Sequence, residues 1–304
     1  VTKTEEGVSI KPFYHRDEYK SIDDSFPGGT FAIAETVFID KENIAAHIAI
    51  KALQTGAETI IWKAKGPFNA KLLADLIKKE KGLKVGEFHF VLDFLNEDFI
   101  IELATAFKEY TIFLNIDILG NLLRTGNWYF NKKKDHELLI GLLRALPDSC
   151  HVIGVDTSLY QHAGATMIQQ LAYGLAQGNE YLNYLYQLKQ EDKIDNKIWL
   201  RAVKAFHFTF AVGSDFFFEI AKLQSFRVLW RSLTEAYEIN FPIKILVKPT
   251  LRNKTIYDYN INLIRTSTEC MSGIVGGADT VCNVSYDAIF HKSNDFSNRI
   301  SRNQ

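Results

Sequence analysis

Tyr160, Gln161 and His162 are three consecutive residues with polar side chains that could do chemistry, and they follow the apolar run from His151 to Asp156. A phenol, an amide and an imidazole can all donate hydrogen bonds, and histidine also exchanges a proton near neutral pH. If the run is a strand of a barrel, these residues stand at its carboxyl end, where barrel enzymes hold their ligands. They are therefore candidates for binding a small ligand, with helix capping and local hydrogen bonding as the alternative.

Other polar residues fit a structural role better than a chemical one. His207 lies between Phe206 and Phe208 in another apolar run, so we interpret it as a packed residue or one that faces a barrel interior. Arg265 and Glu269 are four positions apart in a helical pattern, which predicts an ion pair across one helix turn. The three cysteines show no C-x-x-C spacing, so the sequence suggests neither a metal site nor a disulfide framework.

The composition is that of an ordinary folded domain. The chain of 304 residues is 47% hydrophobic and 23% charged and has no low-complexity linker, which favours one large domain. A net charge of -1 gives no basic excess for binding nucleic acid. The sequence has no apolar run long enough to span a membrane and no visible export signal, so we expect no membrane association. Unpaired cysteines suit a reducing compartment, and we expect a cytoplasmic location.

The candidate residues need elements to position them, and the sequence predicts alternating strands and helices. Seven short apolar, β-rich runs recur with amphipathic stretches between them, which is the pattern of a parallel sheet in an α/β fold. The runs are Thr59–Lys63, Phe88–Asp93, Thr111–Asn115, His151–Asp156, Phe206–Ala211, Lys244–Val247 and Thr280–Val284. The helical stretch from Gln161 to Lys189 contains Gly174 and Gly178, where a helix can break.

Seven β-α units in series favour a (β/α)8 barrel of the TIM type over an open doubly wound sheet, because no glycine-rich phosphate turn follows the first run. We assign residues 31–304 to this barrel domain and residues 1–30 to an N-terminal extension. After Val284 only Asp295–Arg302 has a helical pattern, so seven strands are visible. We therefore expect the eighth strand to lie beyond the C-terminus of this sequence, and the alternative is that a neighbouring segment covers an exposed edge of the sheet.

Three segments carry more information than their periodicity. They are HAGATMIQQLAYGLAQGNEYL from His162 to Leu182, GSDFFFEIAKLQSFRVLW from Gly213 to Trp230, and YNINLIRTSTECMSGIVGGADTV from Tyr259 to Val281. In this order they resemble the barrel of adenosylcobalamin-dependent methylmalonyl-CoA mutases, and the likeness covers most of residues 150–304. Within that family the chain looks most like the small, non-catalytic subunit.

The resemblance also indicates where the chemistry of the family is missing. Catalytic relatives carry a Tyr-His pair before the first of these segments, and its histidine donates a hydrogen bond to the substrate thioester. Here the aligned residues are Ser158 and Leu159, and a leucine side chain can neither donate nor accept. His162 replaces a glutamate of the family pattern, and Tyr160 lies two positions away from the place of the functional tyrosine.

A second family segment, before the first barrel helix, supplies an arginine and a tyrosine that reach the acyl part of the substrate. The matching stretch here reads FAIAETVFI, with Ala34 in the place of the arginine and Thr36 in that of the tyrosine. Losing the arginine removes a bidentate partner for the substrate carboxylate. The resemblance therefore implies no catalytic residue in this chain, and at most a residual pocket formed by Tyr160, Gln161, His162 and His207.

By resemblance, the chain is a structural subunit that pairs with a homologous catalytic large subunit, and the complex interconverts methylmalonyl-CoA and succinyl-CoA. Adenosylcobalamin is then bound by the partner, because the cobalt-ligating D-x-H-x-x-G motif and its domain are not found in this sequence. The N-terminal extension is a candidate for wrapping the partner, and the isolated chain could form a homodimer. Two alternatives are an acyl-CoA mutase barrel that works with a separate cobalamin-binding subunit, and a CoA-thioester binding module.

Overall fold

A closed barrel of parallel strands forms the body of the protein in the computed structural model, which describes residues 1–18, 30–292 and 294–304. A small antiparallel hairpin of β1 (Thr2–Lys3) and β2 (Ser9–Ile10) and a 3₁₀ turn (Arg16–Glu18) precede the barrel. The barrel strands are β3 (Ala32–Phe38), β4 (Thr59–Ala64), β5 (Glu87–Leu92), β6 (Thr111–Ile116), β7 (Cys150–Asp156), β8 (Phe206–Val212), β9 (Lys244–Pro249) and β10 (Thr280–Val281). They follow one another around the ring, and β10 pairs with both β9 and β3. The predicted (β/α)8 fold is confirmed.

The predicted position of the eighth strand is wrong. It lies at the start of the barrel as β3, in the segment that the sequence analysis placed before the first barrel helix, and not beyond the C-terminus. Its pattern was obscured by Glu35, a charged residue whose side chain is buried. The Glu35 carboxylate forms an ion pair with Arg302 and accepts a hydrogen bond from Asn298, so residues near the other end of the chain satisfy it.

Helices surround the barrel and connect its strands. They are α1 (Glu42–Gln54), α2 (Ala70–Lys79), α3 (Glu97–Ala106), α4 (Ile118–Thr125), α5 (Lys132–Ala145), α6 (Ser158–His162), α7 (Met167–Gln190), α8 (Asn196–Lys204), α9 (Phe216–Glu235), α10 (Ile261–Val275) and α11 (Asp295–Asn303). Side-chain caps define several starts; the amide oxygen of Asn69, for example, accepts from the backbone N–H of Leu72. Among the described residues, no helix is both long and apolar enough to cross a membrane.

Each barrel strand buries one face against the helices and the other in the barrel. In β8, Phe206, Phe208 and Phe210 pack outward, and their rings contact Phe226 and Trp230 of α9. The residues between them face inward, as the two-residue period of a strand requires. The main core therefore lies between the strands and the helices, as it does in other barrels of this type.

Side chains from the strands also fill the interior of the barrel. One set, here called the interior apolar group, consists of Ala34, Ile61, Val91, Leu246 and Cys282. A second set, the interior ring group, consists of His89, Phe113, His151 and His207. Its rings pack closely, because the centroid of Phe113 lies 4.5 Å from those of His89 and His151 and 5.4 Å from that of His207. The interior is thus a packed core.

Helix α7 is continuous, so the break that Gly174 and Gly178 allowed does not occur. The two glycines serve close packing instead. A Cβ atom on Gly178 would lie 2.5 Å from the Trp230 ring, and one on Gly174 would lie 2.7 Å from the methyl group of Thr157. These approaches let α7 lie directly against α9 and against the end of β7.

The new methyl group of Gly178→Ala overlaps Trp230, and overpacking of this kind costs about 1–3 kcal/mol. The better helix propensity of alanine returns about 1 kcal/mol, so we expect the free energy of unfolding to fall by up to about 2 kcal/mol. Urea denaturation of the variant measures the difference. Asn183→Ala, at an exposed position of the same helix, is the control and should leave stability unchanged or slightly higher. Equal stability of the two variants would contradict the close contact.

Candidate functional site at the barrel mouth

Helix α6 places Tyr160, Gln161 and His162 at the barrel mouth, by which we mean the carboxyl ends of strands β3 to β10. The helix follows β7 directly. Thr157, just before it, donates a hydrogen bond from its hydroxyl to the carbonyl of Thr209 on β8 at 2.6 Å. Two neighbouring strands therefore fix the position of α6.

Tyr160 is held by a buried hydrogen-bond network. Its hydroxyl donates to Gln177 Oε1 at 2.7 Å, and Gln177 Nε2 donates to Asp117 Oδ1 at 2.6 Å. The Tyr181 hydroxyl donates to the same Asp117 oxygen at 2.9 Å. Burial raises the pKa of Asp117 to about 6, although hydrogen bonds from the N–H groups of Gly120 and Asp156 oppose this. The network joins α6 to α7 and to the end of β6.

Tyr160 therefore stays protonated at neutral pH. Burial, reinforced by the charge of Asp117, raises the pKa of Tyr160 to about 12. A phenol with such a pKa is a hydrogen-bond donor and not an acid or base near pH 7. The Tyr160 hydroxyl already donates its hydrogen bond to Gln177, so this side chain holds α6 in position.

Gln161 and His162 differ in their surroundings. Gln161 is buried; its Oε1 accepts from the Thr250 hydroxyl at 2.8 Å and its backbone carbonyl accepts from Arg252 Nη1 at 3.0 Å. His162, the last residue of α6, is exposed. Desolvation lowers the pKa of His162, the charge of Asp156 opposes this, and the charges of Arg252 and Lys248 add to the lowering. Of the two, only His162 has its side chain open to solvent.

His207 does not join the other three candidates. It belongs to the interior ring group, with its ring centroid 5.4 Å from that of Phe113, and its side chain is buried between the strands. Burial lowers the pKa of His207 well below its usual value, and the neighbouring His151 and His89 lower it further. It is therefore a neutral residue of the barrel interior, and the pocket of four residues is not assembled.

The four positions where the catalytic residues of the family are replaced lie at the mouth and in the interior of the barrel. Ala34 is buried in the interior apolar group, with 4% of its surface exposed. Thr36 follows it toward the mouth, with Oγ1 3.4 Å from Cys282 Sγ. Ser158 donates its hydroxyl to Asp156 Oδ1 at 2.5 Å, and Leu159 is half-buried on α6. None of these side chains can pair with a carboxylate in bidentate fashion.

Two lysines of the mouth, Lys63 on β4 and Lys248 on β9, were not predicted as site residues. Both are half-buried. Lys63 Nζ lies 5.5 Å from the centroid of the Phe38 ring. Each lysine ends a strand-like apolar run, TIIWK and KILVK. This position at the end of a predicted strand is the feature of the sequence that could have identified them. Charged groups at the carboxyl ends of barrel strands deserve a functional test, because ligands bind at that face.

The histidines of the barrel interior and mouth do not fit the binding of a cobalt cofactor. His89 and His207 are buried, and the half-buried His151 packs with them against the ring of Phe113. His162 is exposed, but no hydrogen bond within the described residues orients its ring, as a metal-ligating histidine requires. Groups of three or more histidine, cysteine or acidic side chains arranged for a metal ion are also absent from the part of the chain described.

The sequence profile of the family described as methylmalonyl-CoA mutase matches residues 103–304. The methylmalonyl-CoA mutase small subunit of Porphyromonas gingivalis is 27% identical over an alignment of 340 residues, covering 100% of this chain and 52% of that protein. The methylmalonyl-CoA mutase small subunit of Streptomyces virginiae is 31% identical, covering 62% of this chain and 30% of that protein. The methylmalonyl-CoA mutase of Rhizobium meliloti is 32% identical, covering 47% of this chain and 20% of that protein.

The match to the Porphyromonas gingivalis protein spans the whole chain, so it includes β3 and the N-terminal hairpin as well as the segments that carry the resemblance. This chain spans about half the length of that relative. The predicted resemblance is confirmed by the profile and by these relatives. A barrel with this mouth, matched by the family profile over about two thirds of its length, belongs to the methylmalonyl-CoA mutase family.

Proposed function

We propose that this chain is the barrel of a small, catalytically silent subunit of methylmalonyl-CoA mutase, which supports a homologous catalytic large subunit. The names of its relatives support a two-subunit arrangement, because small and large subunits from Streptomyces virginiae both match this chain. In this proposal the complex interconverts methylmalonyl-CoA and succinyl-CoA, and the partner binds adenosylcobalamin. The complex is a cytoplasmic heterodimer.

The observation that carries the proposal is the apolar surrounding of Ala34. This residue stands where the resemblance expects an arginine, and it packs against Ile61, Leu246 and Cys282. A carboxylate brought to this point would lose its hydration and gain no hydrogen bond in return, which costs several kcal/mol. Leu159 removes the donor to the thioester in the same way. The chain therefore keeps the packing of the family barrel without the groups that act on its substrate.

The N-terminal extension contacts its own barrel through the described part. The carboxylate of Glu6, in the turn of the β1/β2 hairpin, accepts hydrogen bonds from the backbone N–H groups of Met167 at 2.8 Å and Ile168 at 2.9 Å. These are the first residues of α7, where the helix dipole favours an anion. Phe13 and Tyr14 are exposed nearby in sequence. We propose that the extension also meets the partner there; the rest of it, residues 19–29, lies outside the described residues.

The test is co-expression of the full-length protein with its large subunit, followed by size-exclusion chromatography and a mutase assay with adenosylcobalamin. We expect a one-to-one complex whose activity is unchanged by Leu159→Ala in this chain. The matched control is substitution of the aligned catalytic histidine in the large subunit, which should abolish activity. Size exclusion of this chain alone reveals any homodimer.

Turnover by this chain alone, or with only a separate cobalamin-binding subunit, would overturn the proposal in favour of an acyl-CoA mutase barrel. Failure to bind any large subunit, with retained binding of a CoA thioester, would favour a binding module. Circular dichroism of the Leu159→Ala protein separates a loss of folding from a loss of function.

A further inference from the structure

The lysines Lys63 and Lys248 face the barrel axis from different sides of the mouth. Lys63 lies two residues after Ile61 on β4, and Lys248 lies two residues after Leu246 on β9. Ile61 and Leu246 both belong to the interior apolar group. Since side chains of a strand alternate between its faces, both lysines point to the same interior, one layer closer to the mouth.

Neither lysine has a carboxylate partner within ion-pair distance among the described residues. Lys63 has only the ring of Phe38, 5.5 Å from its Nζ. Burial lowers the pKa of Lys63 and the charge of Lys248 lowers it further, while Cys282, Asp156 and Asp93 oppose this. A half-buried ammonium group without a partner is unfavourable, because it loses hydration and gains no compensating bond. Two such groups facing each other add a mutual repulsion.

Two acids act on Lys63 from beyond ion-pair distance, Asp156 and the exposed Asp93 after β5. Asp156 accepts a hydrogen bond from the hydroxyl of Ser158, and its Oδ2 lies 3.7 Å from Arg124 Nη2. Arg252 adds a further positive charge at the mouth, with one guanidinium nitrogen bound to the carbonyl of Gln161. The mouth therefore carries an excess of positive charge over an apolar floor.

We propose that the barrel mouth binds an oxyanion, a carboxylate or a phosphate group, between Lys63 and Lys248. The anion supplies the charge that the two ammonium groups lack, and the apolar part of its ligand packs on the exposed ring of Phe38. Lysine acts on such an anion as a point charge, which suffices for binding without the fixed orientation that an arginine would impose. The inference does not depend on the proposed function, because a subunit without turnover still has a ligand-binding face.

The test compares thermal and urea unfolding of the full-length protein in chloride with unfolding in inorganic phosphate and in malonate, all at equal ionic strength. An anion present at ten times its dissociation constant should decrease the unfolding equilibrium constant about 11-fold. A larger effect of phosphate identifies a phosphate site, and a larger effect of malonate identifies a carboxylate site. Isothermal titration calorimetry should give one saturable event per chain.

Lys63→Met and Lys248→Met should each abolish the anion effect and raise the melting temperature in chloride, because each removes an uncompensated charge and keeps the length of the side chain. A lysine with a structural role would instead lower the melting temperature in chloride when it is replaced, so the direction of the change distinguishes the two roles. The matched control is Lys84→Met, at an exposed position just before β5 and so at the other end of the barrel. It should retain the full anion effect.

Two results would overturn the inference. One is an anion effect in the wild-type protein no larger than that of chloride. The other is a Lys63→Met or Lys248→Met protein that melts at a lower temperature in chloride and keeps its response to the anion. Neither result bears on the association with a large subunit, so the proposed function stands or falls separately.

Discussion

Replacing Lys222 with methionine is expected to lower the free energy of unfolding by about 3–5 kcal/mol, because it leaves the buried Glu219 carboxylate without a counterion and with only the hydrogen bond from the Gly213 N–H. The side chains of Lys222 and Glu219 are 0% and 2% exposed, and Nζ lies 2.5 Å from Oε2. Lys222 Nζ also donates to Gln170 Oε1 at 2.9 Å and to the carbonyl of Ala211 at 2.7 Å. One side chain thus joins α9 to α7 and to β8.

Urea denaturation at pH 7 measures this loss, and an exposed pair provides the control. Lys133 Nζ lies 3.8 Å from Glu137 Oε1, with side chains 85% and 56% exposed, so Lys133→Met should change stability by less than about 0.5 kcal/mol. Adding Glu219→Gln to Lys222→Met should restore part of the loss, since the stranded charge is removed. If Lys222→Met and Lys133→Met have equal effects, the buried pair does not contribute as we expect.

The free energy of unfolding should also depend on pH through His151. Burial lowers the pKa of His151 to about 4, below the value of about 6.5 for an exposed histidine. The unfolded chain then binds more protons than the folded protein below pH 6.5, so stability falls as the pH falls from about 7 to 4. The pKa difference corresponds to up to about 3 kcal/mol lost at pH 4. His151→Gln should therefore have a flatter pH profile than the wild type.

The comparison between variant and wild type is needed because other groups titrate in the same range. His207 and His89 contribute in the same direction as His151, since burial lowers the pKa of both. Asp117, whose pKa is raised to about 6, contributes in the opposite direction, because its folded form retains a proton that the unfolded chain releases. The Asp117 contribution is common to both proteins, whereas removing His151 also weakens the lowering of the His207 pKa, which flattens the profile of the variant further. The control is His47→Gln, on the exposed face of α1, and parallel profiles for His151→Gln and the wild type would contradict the assignment.

Seven of the eight barrel strands could be predicted from the sequence, because strands buried on both faces read as continuous apolar runs. β3 could not, because Glu35 interrupts its pattern and the residue that neutralises it, Arg302, belongs to the last helix. The predicted ion pair between Arg265 and Glu269 is wrong, because both side chains bind residues outside their own helix. Glu269 Oε2 lies 2.5 Å from Lys254 Nζ instead, and Arg265 donates to the carbonyl of Asn253.

Only part of the candidate site could be predicted from the sequence. The position of Tyr160, Gln161 and His162 at a strand end could be predicted, since they directly follow an apolar run. Their hydrogen-bond partners could not, because Gln177 and Thr250 come from other units of the barrel. The pairing of Lys63 with Lys248 across the mouth also depends on closure of the ring, which brings residues of distant segments together.

The barrel closes where its first strand, β3, pairs with its last strand, β10, and this affects how the chain folds during synthesis. The outer edge of the first barrel strand pairs with the two residues of β10, and Glu35 of that strand forms its ion pair with Arg302, which lies 267 positions later. At roughly 5–20 residues per second, a ribosome needs about 15 to 50 seconds to make the intervening chain. During that time one edge of β3 is unpaired in the nascent protein, and Glu35, which is buried in the finished barrel, has no counterion. We therefore expect the yield of native protein to depend on translation speed and chaperone supply as well as on the stability of the finished barrel.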